Sequence, residues 1–338
     1  MSSKDRLISP ESFPQDESHD YAYRPQGLKD FIGQDKLKDN LKVYIEAAKN
    51  RGESLDHILL HGPPGLGKTT LAHIIANEMG VGIKTIQAPA LEKTGDIAAH
   101  LTDLSENSVF FIDEIHRLKV AIEELLYSAM EDFKLDIVIG QGAGAKSVRL
   151  PLPRFTLIGA TTKAGLLTSP FYARFGIVDR LDFYEDELLK EVVIRTARLM
   201  KLFIDEDSAL EVAKRSRGTP RVVNRIMRRL RDFAEVEGDG TITLDVAQNA
   251  LQRLDIDSSG LDMMDRRLLI LVMDQYGGGP VGLETLAVSM GETTDTIEDI
   301  YEPFLIQRGL LARTPRGRVV TAMCYRYFGR PERENYLF

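Results

Sequence analysis

Gly62-Pro63-Pro64-Gly65-Leu66-Gly67-Lys68-Thr69 has the G-x-x-x-x-G-K-[ST] spacing that suits a polyphosphate. Glycines such as Gly65 and Gly67 let successive backbone N–H groups turn toward an anion, and a helix opening at Lys68 adds the positive end of its dipole. Lys68 would reach the β- and γ-phosphates, and the Thr69 hydroxyl would sit on Mg²⁺. A chance match in such a chain is on the order of one in a hundred, so the segment predicts nucleotide binding. Forty-five residues after Lys68, the apolar run 109–112 ends in Asp113-Glu114. Asp113 can hold Mg²⁺ through water, and Glu114 can act as general base on an attacking water. The next buried run, 155–160, ends in Thr161-Thr162, either of which can contact the γ-phosphate or that water. Arg174 precedes the last strand-like run, and Arg221 opens a later helix. Each also has a plainer reading as a capping threonine, a surface arginine or a solvated helix-start arginine.

Positioning these groups requires a scaffold. The chain has 338 residues, 43% hydrophobic and 28% charged, enough for sizeable cores and about two domains by length. Disorder and collagen-like repeats are excluded as readings of the whole chain. One cysteine, Cys324, excludes a disulfide framework and a multi-cysteine zinc site, and fits a cytoplasmic setting. The polar first 20 residues read as a flexible arm rather than a targeting peptide, and no run of about 18 apolar residues predicts a membrane span. Short apolar runs at 58–60, 109–112 and 155–158 suit strands buried on both faces of a parallel sheet. Helical stretches at 68–79 and 120–132 alternate with them, predicting an α/β domain over 21–184.

Residues 135–149 interrupt that alternation with two short arms around a Gly/Ala-rich centre, predicting an inserted β-hairpin. Its tip would expose Ile137, Val138 or Ile139 to a partner; alternatively, its apolar arm packs on the parent domain. Segments 186–202, 206–215, 220–235 and 244–254 read as helices of a small all-α domain, with Thr219 as N-cap and Pro220 at the first helical position. Ser258-Ser259-Gly260 reads as a linker into a third unit, 256–338. Three helices and a two-stranded wing around Pro315-Arg316-Gly317 predict a winged helix-turn-helix, although a protein-docking module has the same elements.

These motifs together resemble the AAA+ ATPases. Within them the set GPPGLGKT, DEIHRL, LIGATT, SPF–ARFGIV, GTPR and RTPRGR resembles the RuvB family of Holliday-junction branch-migration motors, over about residues 21–330. The resemblance implies an α/β P-loop ATPase domain with a parallel sheet, a small all-α lid and a C-terminal winged-helix domain. It implies Thr161/Thr162 as the phosphate sensor, Arg174 as the arginine finger given to a neighbouring subunit's ATP, and Arg221 as a second sensor. It places Tyr23, Arg24, Gly65, Lys68, Thr69 and Thr70 at the nucleotide, with Glu131, Asp132 and Phe133 at the subunit interface and Tyr184 and Arg221 at the domain junction. Tyr184 can equally be a core aromatic sealing that junction. The activity implied is ATP-driven branch migration by a homohexameric ring on duplex DNA. The junction-binding RuvA would dock on the 135–149 hairpin and RuvC would join them.

Charge adds a location for DNA. The formal net charge is −8, yet residues 303–331 hold six arginines and no acid, and residues 212–231 hold eight Lys or Arg and no acid. Arg313, Arg316 and Arg318 around a tight turn can clamp phosphates without reading bases. The second stretch reads mainly as Arg221 plus a solvated or inter-subunit helix face. One rival is a clamp-loader-type ATPase, whose finger usually lies in Ser-Arg-Cys, whereas Arg174 lies in Ala-Arg-Phe. Another is a nucleotide-switched DNA-binding regulator that discriminates operator from random DNA.

Overall fold

The structure is a computed structural model that describes residues 7–8, 23–139 and 146–331. The expected arm over residues 1–20 lies outside them apart from Leu7 and Ile8, and so do the side chains of Ile137, Val138 and Ile139. The chain divides into two compact units, Arg24–Asp182 and a second that holds Tyr23 with the chain from Phe183 onward.

The first unit is built on five parallel strands: β1 (Ile58–His61), β2 (Ile83–Gln87), β3 (Ser108–Asp113), β6 (Phe155–Thr161) and β7 (Ile177–Arg180), in the order β2-β3-β6-β1-β7. Central β6 is buried along its whole length, as its uninterrupted apolar run requires. Edge strand β2 is only half-covered, and its weak alternation (IKTIQ) explains why the sequence did not announce it. Because β1, β6 and β3 are adjacent, Lys68 after β1, Thr161 at the end of β6 and Asp113 at the end of β3 share the carboxyl edge of the sheet, where open α/β sheets bind ligands. Helices Lys68–Met79 and Val120–Asp132 have the expected bounds. Strands β4 (Lys134–Ile139) and β5 (Lys146–Pro151) pair antiparallel, with Asp136 opposite Arg149.

In the second unit, helices Asp186–Leu199, Glu206–Lys214, Pro220–Glu237 and Leu244–Arg253 form the lid. It is not purely helical: β8 (Phe203–Ile204) and β9 (Thr241–Ile242) make a two-residue parallel pair between helices. Thr219 stands at the N-cap with Pro220 following, but its hydroxyl donates to the Ser216 carbonyl at 3.2 Å instead of capping the helix. The winged-helix core comprises helices Met263–Gln275, Leu283–Met290 and Glu302–Gln307, the last preceded by a π-helical turn, Ile297–Tyr301, just before Pro303, which has no N–H for the ladder. The wing pairs β10 (Leu311–Thr314) with β11 (Gly317–Val320), and a short helix, Ala322–Tyr327, which the sequence did not signal, closes the core. Burial pushes the Cys324 thiol up to about 12, so it serves as an apolar core residue.

The expected linker is packed at its end, where a Cβ on Gly260 would lie 3.3 Å from both the Arg215 carbonyl oxygen and the Phe304 ring, while Ser258 is exposed. The stretch 212–231 is solvated only in part, with Lys214 and Arg229 exposed. Arg215, Arg217 and Arg225 are buried, with Arg217 donating to Asp265 and to the Gly260 carbonyl while lying 4.5 Å over Phe304.

Candidate nucleotide site and basic wing

The phosphate loop leaves β1 through Gly62, whose N–H donates to the Thr161 carbonyl at 3.2 Å and so fastens the loop to the end of β6. Gly67 takes φ 100, and a Cβ there would meet the Phe31 ring at 3.0 Å; only glycine fits this close approach. Lys68 is 7% exposed and donates to the carbonyls of Gly62 at 2.7 Å and Pro63 at 2.8 Å. These two carbonyls hold its ammonium over the loop. Gly65 also adopts a left-handed conformation, and Thr70 is half-buried in the first turn of the helix.

Thr69 Oγ1 donates to Asp113 Oδ2 at 3.0 Å, and Asp113 Oδ1 accepts from the Glu114 N–H at 3.0 Å. A hydroxyl and a carboxylate side by side are the hard oxygen donors that suit Mg²⁺, which takes one or two protein ligands plus phosphates and water. Glu114 has φ 52, and this left-handed kink turns the chain into the short helix Ile115–Arg117. Thr161 is fully buried; its Oγ1 accepts from the Lys163 N–H at 2.9 Å and lies 2.9 Å from His116 Nδ1. Thr162 is half-buried.

Arg174 follows helix Ser169–Tyr172 and stands between buried Phe171 and Phe175, whose rings meet edge to face at 5.4 Å. Its guanidinium lies 4.4 Å above the Tyr127 ring, donates to the Tyr127 hydroxyl and contacts Glu131 Oε2 at 3.2 Å. Buried Glu123 accepts from the Thr168 hydroxyl at 2.7 Å, tying the Arg174 segment to helix Val120–Asp132. Of the predicted interface trio, Glu131 therefore touches Arg174 and Asp132 is exposed. Phe133 is half-buried, edge-on to Phe155 at 5.8 Å. In the other unit the Tyr23 carbonyl accepts from Arg195 at 2.7 Å, Tyr184 is buried with its N–H on the Gly218 carbonyl, and Arg221 is half-buried.

In the wing, Arg313 and Arg318 face each other across the strand pair, a placement that repels unless compensated. Compensation comes from Glu302, fully buried, whose two oxygens accept from Arg313 Nε and Arg318 Nε at 2.5 Å each. Glu298 adds a contact of 3.3 Å to Arg313. The Arg313 side chain remains 47% exposed and that of Arg318 14%, while Arg316 is exposed in the turn. Sequence reasoning passed over His116, Tyr127, Glu123 and Glu302. His116 and Glu302 left a signal, since one lies inside the quoted DEIHRL and the other immediately precedes the acid-free window.

Among known proteins, three family models match in succession: the Holliday junction DNA helicase RuvB P-loop domain over residues 23–181, the RuvB AAA lid domain over 184–257 and the RuvB C-terminal winged helix domain over 258–329. The Thermotoga maritima RuvB Holliday junction branch migration motor is similar with a TM-score of 0.85 and 49% identity, covering 92% of this chain and 100% of that one. A lysine-to-arginine variant of it gives 0.86 and an arginine-to-alanine variant 0.84, both at 49% identity with 92% of this chain and 99% of theirs covered.

Proposed function

The chain belongs to the RuvB family of Holliday-junction motors, and from that premise we propose that it is an ATP-driven DNA translocase that moves four-way junctions as a homohexameric ring. The observation that carries this is the 3.0 Å contact between Thr69 and Asp113, which joins the phosphate loop to the acidic strand end. Thr69 and Asp113 would hold Mg²⁺, which supplies neutralising charge to the phosphate oxygens when bound with ATP.

Lys68 gives its ammonium to the terminal phosphates and stabilises the charge that gathers there during transfer. Glu114 takes the proton from the attacking water, and Thr161 or Thr162 orients that water or the γ-phosphate. Arg174 completes the site of a neighbouring subunit, beside Glu131, Asp132 and Phe133. Tyr23, Arg24, Gly65, Gly67, Thr70, Tyr184 and Arg221 contribute further nucleotide contacts. Arg313, Arg316 and Arg318 take DNA phosphates, a sequence-tolerant grip appropriate to a translocase. The 135–149 hairpin, through Ile137, Val138 and Ile139, is the seat for RuvA, with RuvC joining the assembly. No helix among the described residues is long and apolar enough to cross a membrane.

The test is ATP-dependent branch migration of a synthetic four-way junction, with and without the junction-binding partner. Migration that needs ATP and disappears in Lys68→Ala is expected. ATP hydrolysis with no migration in either arm would overturn the motor, and a strong preference for one duplex sequence at matched salt would favour a regulator. Ile137→Asp should abolish partner binding while ATP turnover survives; loss of both would point to misfolding.

A further inference from the structure

The backbone at Arg174 is pinned from both sides. Phe171 and Phe175 are buried, and the Arg174 N–H donates to the Phe171 carbonyl at 3.1 Å. Upstream, the Thr168 N–H and hydroxyl both donate to Glu123 Oε2, at 3.3 and 2.7 Å, which ties the segment to helix Val120–Asp132. These ties fix the chain and leave the arginine side chain unset, and a side chain of that length samples many rotamers unless something holds it.

The same helix supplies the holder. Glu123, Tyr127 and Glu131 recur at every fourth residue and so lie along one stripe of the helix. Thr168 meets the first of them, and Arg174 meets the other two. The guanidinium carbon lies 4.4 Å from the Tyr127 ring centroid, and Nη2 donates to the Tyr127 hydroxyl. A planar cation laid on a ring is fixed in its plane, while its N–H groups still point outward along its edges. Among the described residues both polar contacts of the guanidinium use Nη2, and Nε is enclosed without a hydrogen bond. Nη1 is thus the nitrogen left for a phosphate oxygen. Glu131 is a weak rival for the cation: its 3.2 Å contact also falls on Nη2, and the two side chains are 45% and 35% exposed.

We infer that Tyr127 is a positioning residue for the arginine finger: its ring face and hydroxyl hold the Arg174 guanidinium in the orientation in which it meets a neighbouring subunit's ATP. This rests on the proposed role of Arg174 at that neighbour's site. Tyr127 acts only through Arg174, so its loss lowers turnover and leaves nucleotide binding by its own subunit alone. A finger set in place before ATP arrives needs no ordering in the transition state, which is where its charge counts.

The experiment uses the full chain, with ATP turnover and, separately, equilibrium binding of the non-hydrolysable analogue AMPPNP. Tyr127→Leu keeps apolar bulk against the core on which Tyr127 packs but offers neither ring face nor hydroxyl. It should lower kcat by about 30-fold, a part of the roughly 10³–10⁵ that such a finger supplies, with the AMPPNP Kd within about threefold of the parent. Tyr127→Phe keeps the ring face and should stay within about fivefold of the parental kcat. In an Arg174→Ala background Tyr127→Leu should change kcat by less than about twofold, since the group it positions is gone. Mixed with Lys68→Ala subunits, Tyr127→Leu subunits should regain turnover several-fold above either component, because some interfaces then hold both residues intact. Should Tyr127→Leu not fold, Tyr127→Met takes its place. The positioning role is overturned by a Tyr127→Leu kcat within about twofold of the parent when Arg174→Ala is inactive, by a loss that multiplies with that of Arg174→Ala, or by a rise in kcat, which would make Tyr127 a place where the finger is withheld. It is also overturned if the Lys68→Ala mixture is rescued by Arg174→Ala subunits and not by Tyr127→Leu subunits. Failure of both mixtures, or an Arg174→Ala protein that turns over at the parental rate, would instead refute the underlying assignment of the finger.

Discussion

Lys68 and Arg318 are both nearly enclosed cations, but their holders differ. Lys68 lies on the carbonyls of Gly62 and Pro63, whereas Arg318 shares the buried Glu302 carboxylate with Arg313. Carbonyl oxygens hold the ammonium over the loop, where a phosphate would arrive. At the base of the wing two guanidiniums meet two carboxylates, Glu302 and Glu298. A cation oriented on loop carbonyls is aimed at an arriving anion; two cations sharing one buried carboxylate make a rigid platform with a weakened field.

The sharpest way to break this contrast is to remove the loop cation. Lys68→Ala should lower ATP turnover by about 10³-fold or more, with a smaller effect on melting temperature than on turnover. Mixing that variant with Arg174→Ala subunits extends the test to the assembly. If the finger serves a neighbour, mixed rings contain interfaces with both residues intact, and turnover returns. A mixture as inactive as its components would place Arg174 in its own subunit's site.

On the wing the prediction reverses, with stability affected more than turnover. Glu302→Gln leaves two arginines, one of them 14% exposed, without their shared anion. Chemical denaturation should show a loss of about 2 kcal/mol, smaller than for a fully enclosed pair because Arg313 can turn to water. DNA binding by the same variant should become steeper in salt, as Arg313 is released to phosphate. An unchanged denaturation midpoint would mean that Glu302 is not the anchor.

Titration separates the two regions as well, since all six histidines precede residue 117. Burial first, then the charges of Lys163, Arg117 and Lys68, push His116 down to about 4, with Glu114 the carboxylate facing it. The native state refuses a proton that the unfolded chain takes below its ordinary 6.5, so this stability is complete above that pH and is lost as pH falls toward 4. Burial lowers His57, His61 and His73 in the same direction, so the parent must be compared with His116→Asn. Between about pH 7 and about pH 4.5 the variant's melting temperature should fall less than the parent's. Equal slopes would show that the refused proton belongs to another group.

The phosphate loop was legible because its chemistry is local: eight consecutive residues set the glycines, the lysine and the threonine, and the buried strands around them are continuous apolar runs. The wing was only half-legible. The acid-free window opened at Pro303, one residue past Glu302, the carboxylate that both wing arginines hold. The same happened at 212–231, flanked by Glu211, which binds Arg215, and Asp232, which binds Arg229. Charge counted along a chain ends where the tally changes sign, and in helices the compensating acid sits three or four residues away, just beyond that edge. Arg217 shows the other limit: its partner Asp265 lies 48 residues on, a pairing only the packed unit reveals. His116 carries no role legible in its motif, because its partner Thr161 lies 45 residues on, at the end of a strand that only the sheet order makes adjacent.

If compensation governs the wing, the smallest effect should come from the arginine farthest from Glu302. Arg316 occupies the two-residue turn between Thr314 and Gly317, exposed, beyond the strand positions that hold Arg313 and Arg318. Arg316→Ala should leave stability within about 0.5 kcal/mol of the parent, as for surface substitutions generally. It should weaken binding equally across duplex sequences and reduce the slope of log affinity against log salt by about 1. Between about 50 and about 200 mM salt, one phosphate contact corresponds to only about a threefold change, so the slope must be measured, not a single affinity. Arg318→Ala, by contrast, should lose stability along with affinity, because it removes half of the clamp on a buried carboxylate. If Arg316→Ala leaves the slope unchanged while Arg318→Ala alone lowers it, the compensated pair is the DNA grip, and a cation held on a buried carboxylate gives up less of its reach than its geometry implies.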